Sequence, residues 1–541
     1  MPHSPITRTA QEVFGWPSLR GGQEESISAL LEDRDVLTVL PTGGGKSAIY
    51  QLAGILRDGI TIVVSPLIAL QADQLNQLSE HPNAPRAVAI NSTLGERATE
   101  EAWESLESGA TEFVFLAPEQ LAKDDVLRRL ATLRITLFVV DEAHCVASWG
   151  HDFRPDYLRL GEVRDALGNP TTVALTATGA EPVRVEIIER LALKDPLVVV
   201  HGVDRPNIDL DVRRATSESE KRDAVLELVP SLPRPGLLYA ATRREAEEYG
   251  TELSARGMRA DVYHAGLSAR ERARVHEAFL DGASDVVVAT NAFGMGIDKP
   301  DVRFVVHASV PESLDAYYQE IGRSGRDGEA ASAVLFYRSE DLGLRKYFAA
   351  RGTDAVRLRG AYTVLAAARG PLRGKDLAAQ LGVSTRSVTA LVNQLVEGGS
   401  VRLTRDGAET MGPLDADDAV VAAEEAAERR QRIEESRVEV MRRYAETRDC
   451  RRRVLLGYFG ENLPEPCGHC DTCRAGTADE IVVNEFSVPF PAGAAVEHIE
   501  WGRGSVVDVE DDRLTVFFGE QGYKVLALDL VQEHGLLTLA G

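Results

Sequence analysis

Cysteine is scarce in this sequence, five in 541 residues, too few for a disulfide scaffold. An excess of positive charge is also missing. Sixty Lys and Arg stand against 84 Asp and Glu, a formal net charge of −24. That balance argues against a simple polyanion binder but leaves room for local basic grooves on an acidic body. Met1 to Ala10 lack the apolar stretch of a secretory leader, and no apolar run approaches the roughly 20 residues that span a bilayer. The expectation is a cytoplasmic chain with no membrane partner. Apolar content, at 44%, is ordinary and sufficient for several cores, and the length suggests about three to five domains.

The few cysteines are unevenly placed. Cys145 stands alone and reads as a small buried residue. Cys450, Cys467, Cys470 and Cys473 crowd together with spacing C-x16-C-x2-C-x2-C. In a cytosolic chain such spacing reads as a structural zinc site, because two-residue gaps let successive thiolates reach one tetrahedral centre. His469 is an alternative ligand, but four thiolates already fill the shell.

Another absence concerns glycine. The strict loop pattern G-x-x-x-x-G-K-[ST] is not met, since Leu40 occupies its first position in Leu40-Pro-Thr-Gly-Gly-Gly-Lys-Ser47. The loop still follows a short apolar strand, Val36 to Leu40. Thr42, Gly43 and Gly45 belong to a turn that aims backbone N–H groups at phosphate oxygens. Lys46 adds a point charge toward the β- and γ-phosphates, and Ser47 a hydroxyl toward Mg²⁺. Alone, a glycine-rich turn is more often just a turn. Asp141-Glu-Ala-His144, after the apolar run Leu137 to Val140, supplies the complement: Asp141 for the metal and Glu142 for the attacking water. The alternative for these carboxylates is helix capping. Together the two segments point to a nucleoside-triphosphate engine that uses Mg²⁺.

Short apolar runs alternate with helical patterns from 36 to about 200, and again from 236 to 337. This rhythm predicts α/β architecture: two doubly wound parallel-sheet lobes with a joint near 201–207. The second lobe has no Gly-Lys-Ser loop, but it carries Gln319-Glu-Ile-Gly-Arg-Ser-Gly-Arg-Asp-Gly328. Arginines there can reach across a cleft and stabilise charge on a transferring phosphoryl group, an effect of roughly 10³ to 10⁵ in rate. Surface arginines in a loop are the alternative.

These segments, in this order, resemble the RecQ-type DNA helicases of helicase superfamily 2. Phe14-Gly-Trp-Pro-Ser-Leu-Arg-Gly-Gly-Gln23 is similar to that family's adenine-reading motif. The resemblance gives Gln23 the base edge, Trp16 the ring face and Arg20 a polar contact, although Leu19 replaces a usual aromatic. The stretch 146–157, with Trp149, His151, Phe153 and Arg154, resembles the family's aromatic-rich loop. Aromatic faces stack on unpaired bases for about 1 to 3 kcal/mol each; core packing is the alternative. Ser65-Pro-Leu67 and Thr176-Ala-Thr178 resemble segments that touch the DNA backbone and couple the lobes. Tyr263-His-Ala-Gly266 and Ala289 to Asp298 resemble their second-lobe counterparts, Asp298 lying on the nucleotide side. The resemblance assigns the finger role to Arg326, a phosphate contact to Arg323, and the link from hydrolysis to motion to Gln319.

Past residue 350 the layout departs from that family, in which the zinc module usually precedes a winged helix. Here a helix-turn-helix pattern comes first, with the turn at Gly382, Ser384 as N-cap and a Gly398-Gly399 stop. Arg386, Arg402 and Arg405 are candidates for DNA phosphates. A helix-rich stretch then leads to the cysteines, where Cys450-Arg-Arg and Tyr458-Phe-Gly-Glu461 resemble the RecQ zinc module. The tail reads as a small β-barrel with turns at Gly502–Gly504 and Asp511-Asp512. Its Glu497 to Val506 segment resembles the Tudor-like end of UvrD/PcrA helicases, which is associated with RNA polymerase; a generic SH3-like spacer is the alternative. The expected division is 1–203 and 204–350 for the lobes, 351–413 winged helix, 414–478 zinc module and 484–541 barrel.

The resemblance implies a nucleoid-associated helicase that moves 3′ to 5′ on single strands and unwinds single-strand-bearing or branched DNA in repair or recombination, with ATP, Mg²⁺ and Zn²⁺ as cofactors. Other readings are an RNA helicase, or a winged-helix DNA-binding or polymerase-docking adaptor with ATP as a switch.

Overall fold

The computed structural model describes residues 4–540 apart from 67, 92–93, 122, 148–156, 158, 294–298, 344–353, 405–406, 413, 462, 479–488, 491–493 and 510–512. Seven strands build the first sheet: β1 Val36–Val39, β2 Ile60–Val64, β3 Ala87–Ile90, β4 Phe113–Leu116, β5 Ile135–Val140, β6 Thr171–Thr176 and β7 Leu197–Val200. All pair in parallel, in the order β3-β4-β2-β5-β6-β1-β7. Helices cover both faces, which is why β1, β2 and β4 are buried along their whole length and read as unbroken apolar runs. Thr38 in β1 and Thr61 in β2 are the buried polar exceptions.

A second parallel sheet follows: β8 Ile208–Arg214, β9 Gly236–Tyr239, β10 Ala260–Tyr263, β11 Val286–Ala289, β12 Phe304–His307 and β13 Ala331–Tyr337. Its order is β10-β11-β9-β12-β13-β8. Two strands escaped the sequence reading. β7 escaped although it is a four-residue apolar run, Leu197 to Val200, only partly buried at the sheet edge, whereas β8 alternates buried and half-buried residues along Ile208 to Val212 and has no unbroken apolar run.

Beyond the lobes, Gly374–Leu381 and Thr385–Glu397 form the helix-turn-helix, with Gly382 at φ 65° in the turn. The Ser384 hydroxyl accepts the Ser387 N–H at 3.2 Å, as expected of an N-cap. The hairpin Val401–Thr404 with Gly407–Thr410 supplies the wing. Helix Ala416–Glu446 then runs 31 residues, about 46 Å at 1.5 Å per residue. Its start packs Ala419, Val420 and Ala423 into the winged-helix core. Its end packs Val438, Met441, Tyr444 and Ala445 into the core on one face of the second sheet.

That second-sheet core is continuous with the zinc module, through Leu455, Leu456, Tyr458 and Phe459, and with the tail, through Phe517 and Tyr523. The zinc module therefore lies directly on the second lobe although the winged helix intervenes in sequence. The tail is a five-stranded antiparallel sheet ordered Tyr523–Ala527, Arg513–Phe517, Gly502–Val509, Ala495–His498, Leu537–Leu539. Its two outer strands are not paired with each other among the described residues, so the sheet is open where a barrel was expected. Gly502 to Gly504, expected as a turn, lie within a strand; Gly504 fits there because an added Cβ would stand 2.6 Å from Phe517 O. Asp511-Asp512 and Arg405 lie outside the described residues. The tail is also docked rather than separate: Tyr523 Oη donates to Tyr458 Oη at 3.3 Å, and the Ser505 hydroxyl donates to Glu181 of the first lobe. Among the described residues no helix is long and apolar enough to cross a membrane.

Candidate active site at the interlobe cleft

Sheet order brings the first-lobe chemistry together. β5, β6 and β1 are neighbours, and the carboxylates, Thr176 and the glycine loop sit at their carboxyl ends, where open α/β sheets bind ligands. Gly43 and Gly45 take φ of 77° and 78°, a region that costs other residues about 1 to 2 kcal/mol. Lys46 opens helix Lys46–Leu56, so its N-terminal N–H groups face the loop. Lys46 Nζ donates to Leu40 O at 3.3 Å.

Glu142 adopts φ 48°, and its N–H donates to Asp141 Oδ1 at 2.9 Å. Burial, then the neighbouring Glu142 charge, push the Asp141 carboxyl up to about 7, against an opposing pull from Lys46. A divalent cation held here would supply the counter-charge that this pair calls for. His144 Nδ1 lies 3.0 Å from Thr176 Oγ1 and 3.4 Å from Glu142 Oε2. The Thr176 hydroxyl in turn donates to Thr178 O at 2.6 Å. Thr176 is fully buried, a placement that suits coupling between motifs rather than contact with a DNA backbone. At the carboxyl end of β2, Gln71 donates to Ser65 O at 3.1 Å.

Ahead of the loop, Gln23 is already engaged. Its Nε2 donates to Gly45 O at 2.8 Å and its Oε1 accepts the Arg20 N–H at 2.8 Å. Arg20 Nη1 donates to Gly43 O. Trp16 stacks on Phe14 at 4.3 Å. A cavity of about 780 Å³ opens beside Arg20, lined also by Arg8, Gln11, Pro17 and Leu19.

A second cavity of about 250 Å³ lies between the lobes, lined by Arg20, Thr42, Gly43, Arg205, Asn207 and Arg326 among others. Arg326 reaches the glycine loop: a Cβ added at Gly43 would lie 3.4 Å from Arg326 Cγ and Cδ. Gly322 approaches too, an added Cβ falling 3.9 Å from Thr42 Cβ. Gln319 and Arg323 are buried in the second lobe, and the charge of Arg323 acts on the buried Tyr239 hydroxyl. Neither is among the described residues that line this cavity. His201, Arg205 and Asn207, which do line it, sit in what the sequence suggests is a plain joint; Arg-Pro-Asn following Asp204 carried no distinctive signal beyond turn chemistry. Trp149, His151, Phe153, Arg154 and Asp298 lie outside the described residues. Arg386 is exposed on the second helix of the winged unit, while Arg402 pairs with Glu409 at 2.7 Å.

At the zinc module, the sulfurs of Cys450, Cys467, Cys470 and Cys473 all lie within 4.8 Å of one another. Four thiols so close fit one tetrahedral Zn²⁺ with bonds of about 2.3 Å. Cys450 caps helix Arg451–Tyr458 and Cys470 precedes Asp471–Arg474; the hydrogen bond to Cys470, then burial, push the Cys450 thiol up. A hydrogen bond from Cys450 pulls the Cys470 thiol down to about 3, while burial pushes Cys473 up to about 11. His469 stands outside the cluster, its Nδ1 at 2.7 Å from Cys467 O and its Nε2 at 3.1 Å from Arg452. The arginine run is spent internally: Arg451 on Asp471, Arg452 on Asp204 and Arg453 on Asp449.

Three family models match: DEAD/DEAH box helicase over residues 20–185, helicase conserved C-terminal domain over 220–328, and RecQ zinc-binding over 414–474. The chain is 36% identical to the probable ATP-dependent DNA helicase RecS of Bacillus subtilis, covering 86% of this chain and 92% of that one. It is 32% identical to the ATP-dependent DNA helicase RecQ of Pasteurella multocida, covering 87% of this chain but only 63% of that longer relative. Among solved structures, the Mycobacterium smegmatis helicase Lhr bound to ssDNA and AMP-PNP shares the fold, with a TM-score of 0.52 at 21% identity over 79% of this chain and 62% of that one. Two parallel-sheet lobes with a nucleotide loop in one and arginines from the other, a four-thiol module packed on the second, and the RecS match over nearly its whole length lead to one conclusion: the chain belongs to the RecQ family of ATP-dependent DNA helicases.

Proposed function

We propose that this helicase moves 3′ to 5′ along single-stranded DNA and opens the duplex ahead, through ATP-driven closure and opening of its two lobes. The observation that carries the reading is the second lobe's Arg326 lying against Gly43 of the first lobe's phosphate loop. A charge delivered across a cleft stabilises the transferring phosphoryl group only when the lobes are together, so hydrolysis and lobe motion are tied. The backbone of Thr42, Gly43 and Gly45 cradles the phosphates and Lys46 pairs with them. Asp141 and Ser47 would hold Mg²⁺, which would supply charge neutralisation at the phosphates. Glu142, kept at φ 48° and beside His144, orients and deprotonates the attacking water. The His144–Thr176 contact passes that state to the segment ending β6. Arg323 contacts phosphate and Gln319 links hydrolysis to lobe motion. Trp16, Arg20 and Gln23 read the adenine, for which Gln23 must exchange its present bond to Gly45. Cys450, Cys467, Cys470 and Cys473 would hold a Zn²⁺ that would fix their module.

Single-stranded and branched DNA are the proposed substrates, met by Trp149, His151, Phe153 and Arg154 and by Arg386 of the winged unit. The five proposed units are 1–203, 204–350, 351–413, 414–478 and 484–541. We place the work at the nucleoid in repair or recombination, with the tail sheet as a docking element for RNA polymerase. The test is an unwinding assay on forked, 3′-tailed and 5′-tailed duplexes. Opening of the forked and 3′-tailed substrates alone is expected; equal opening of the 5′-tailed duplex refutes the polarity. ATPase stimulation by RNA equal to that by DNA refutes the substrate. Tail deletion with unchanged polymerase pulldown refutes the partner.

A further inference from the structure

Arg205 and Asn207 lie between β7 and β8, and both side chains are spent on the loop that carries Arg326. Asn207 Nδ2 donates to Gly325 O and to Glu329 O, each at 2.8 Å. Arg205 Nη2 donates to Ser324 O at 3.0 Å and Gly325 O at 2.9 Å. Its Nη1 donates to Gly322 O at 3.3 Å and, across the cleft, to Thr42 O at 3.4 Å. All four acceptors of Arg205 are carbonyl oxygens, so they orient the guanidinium without cancelling its charge. Strand register dictates the meeting. β8 pairs with β13 from Ile208 opposite Ala331, so residues just ahead of β8 face the loop just ahead of β13. The fit is close: at Gly325, φ 57°, an added Cβ would stand 2.4 Å from Asn207 Nδ2.

We propose that Arg205 is a positioning residue for Arg326: its planar fork sets the spacing between the finger loop and the phosphate loop. The proposal rests on Arg326 acting as the finger. Three of its bonds belong to the second lobe and move with it. The bond to Thr42 O is the longest and joins the lobes, so it is the one that opening breaks and closure restores. The neighbouring Asp204 is held by Arg452 of the zinc module at 2.8 Å, which anchors the joint from the other side. Lysine at 205 keeps the charge but has no fork to bridge two loops.

The experiment measures ATP hydrolysis by the full zinc-loaded chain with saturating single-stranded oligodeoxynucleotide. It compares Arg205→Ala, Arg205→Lys, Arg326→Ala and the double alanine variant. Both Arg205 variants are expected to lose about tenfold to hundredfold in kcat, the scale of a small misplacement in an active site. KM for ATP and oligonucleotide affinity should stay within about threefold, since ground-state binding is not what is lost. The double variant should be no slower than Arg326→Ala, because a positioning residue has nothing left to position. An unchanged kcat in Arg326→Ala sinks the finger reading and this proposal with it. A slow Arg326→Ala whose loss multiplies with that of Arg205→Ala overturns the positioning role alone. So does a raised KM at unchanged kcat, or recovery of activity in Arg205→Lys. If thermal melts and zinc content show that the Arg205 variants do not fold, Asn207→Ser replaces them in the same cycle with Arg326→Ala. Losses that do not add then support the proposal, and losses that multiply overturn it.

Discussion

Gly45 concentrates the residue-scale argument. Its φ of 78° disfavours a side chain, and an added Cβ would stand 2.5 Å from Gln23 Nε2. Gly45→Ala therefore carries about 1 to 2 kcal/mol of backbone strain and displaces the Gln23 amide from Gly44 and Gly45. The expected result is a raised KM for ATP with oligonucleotide binding intact, read from steady-state kinetics and fluorescence anisotropy. Lys46→Ala removes the charge that meets the phosphates, and should abolish turnover while leaving oligonucleotide affinity; retained unwinding would refute the engine assignment. These residues were legible in the sequence because the chemistry needs them within a few positions of one another. Arg205 was not legible, because its partners lie more than a hundred residues away and its role exists only once β8 pairs with β13.

At the scale of elements, helix Leu314–Ile321 meets the zinc module through Asp315, whose carboxylate accepts the Tyr458 hydroxyl. Burial raises the Asp315 pKa from 3.8, against the lowering effect of the Tyr458 bond. Between the unfolded and the folded value, the folded chain thus holds a proton that the unfolded chain has released. Stability contributed by this group is full below the unfolded value and falls as pH rises through the folded one. Asp315→Asn should flatten that fall, seen as a smaller drop in melting temperature than the parent shows as pH is raised from the unfolded value upward. An equal drop in both would remove Asp315 as its source. The cysteine cluster is a second element-scale test. Structural zinc is worth about 10 to 16 kcal/mol in small peptides, and here its module shares a core with the second lobe. Cys473→Ser or chelation should lower metal content and the melting temperature together; a melt unmoved by zinc loss would show that the module is held by packing alone. The thiol spacing announced the cluster, whereas the arginines beside it gave no sign that they bind Asp471, Asp204 and Asp449 rather than a polyanion.

For the whole molecule, the tail is the revealing part. Read along the chain it is an appendage, yet Phe517 and Tyr523 join the core that begins at the second sheet, and Ser505 reaches the first lobe. Removing residues 484–541 should expose Tyr458 and its neighbours, lower the melting temperature and raise binding of a hydrophobic dye. A truncated chain that melts like the parent would make the tail a mere passenger. Helix Ala416–Glu446 explains the reversed order of winged helix and zinc module: it anchors the first at one end and returns the second to the lobe at the other.

Taken by itself, the sequence determined the two parallel-sheet lobes, the phosphate loop, the paired carboxylates and the four thiols. Each is a local pattern, whether apolar runs of strand length, glycines that free a turn, or ligands a few residues apart. Tertiary structure alone decided that Arg326 lies over Gly43, that Arg205 bridges both loops, that Thr176 turns inward to His144, and that the tail closes onto the zinc module. Those contacts join distant segments through strand register and shared cores, and long-range pairing leaves no periodicity in the chain from which to read it.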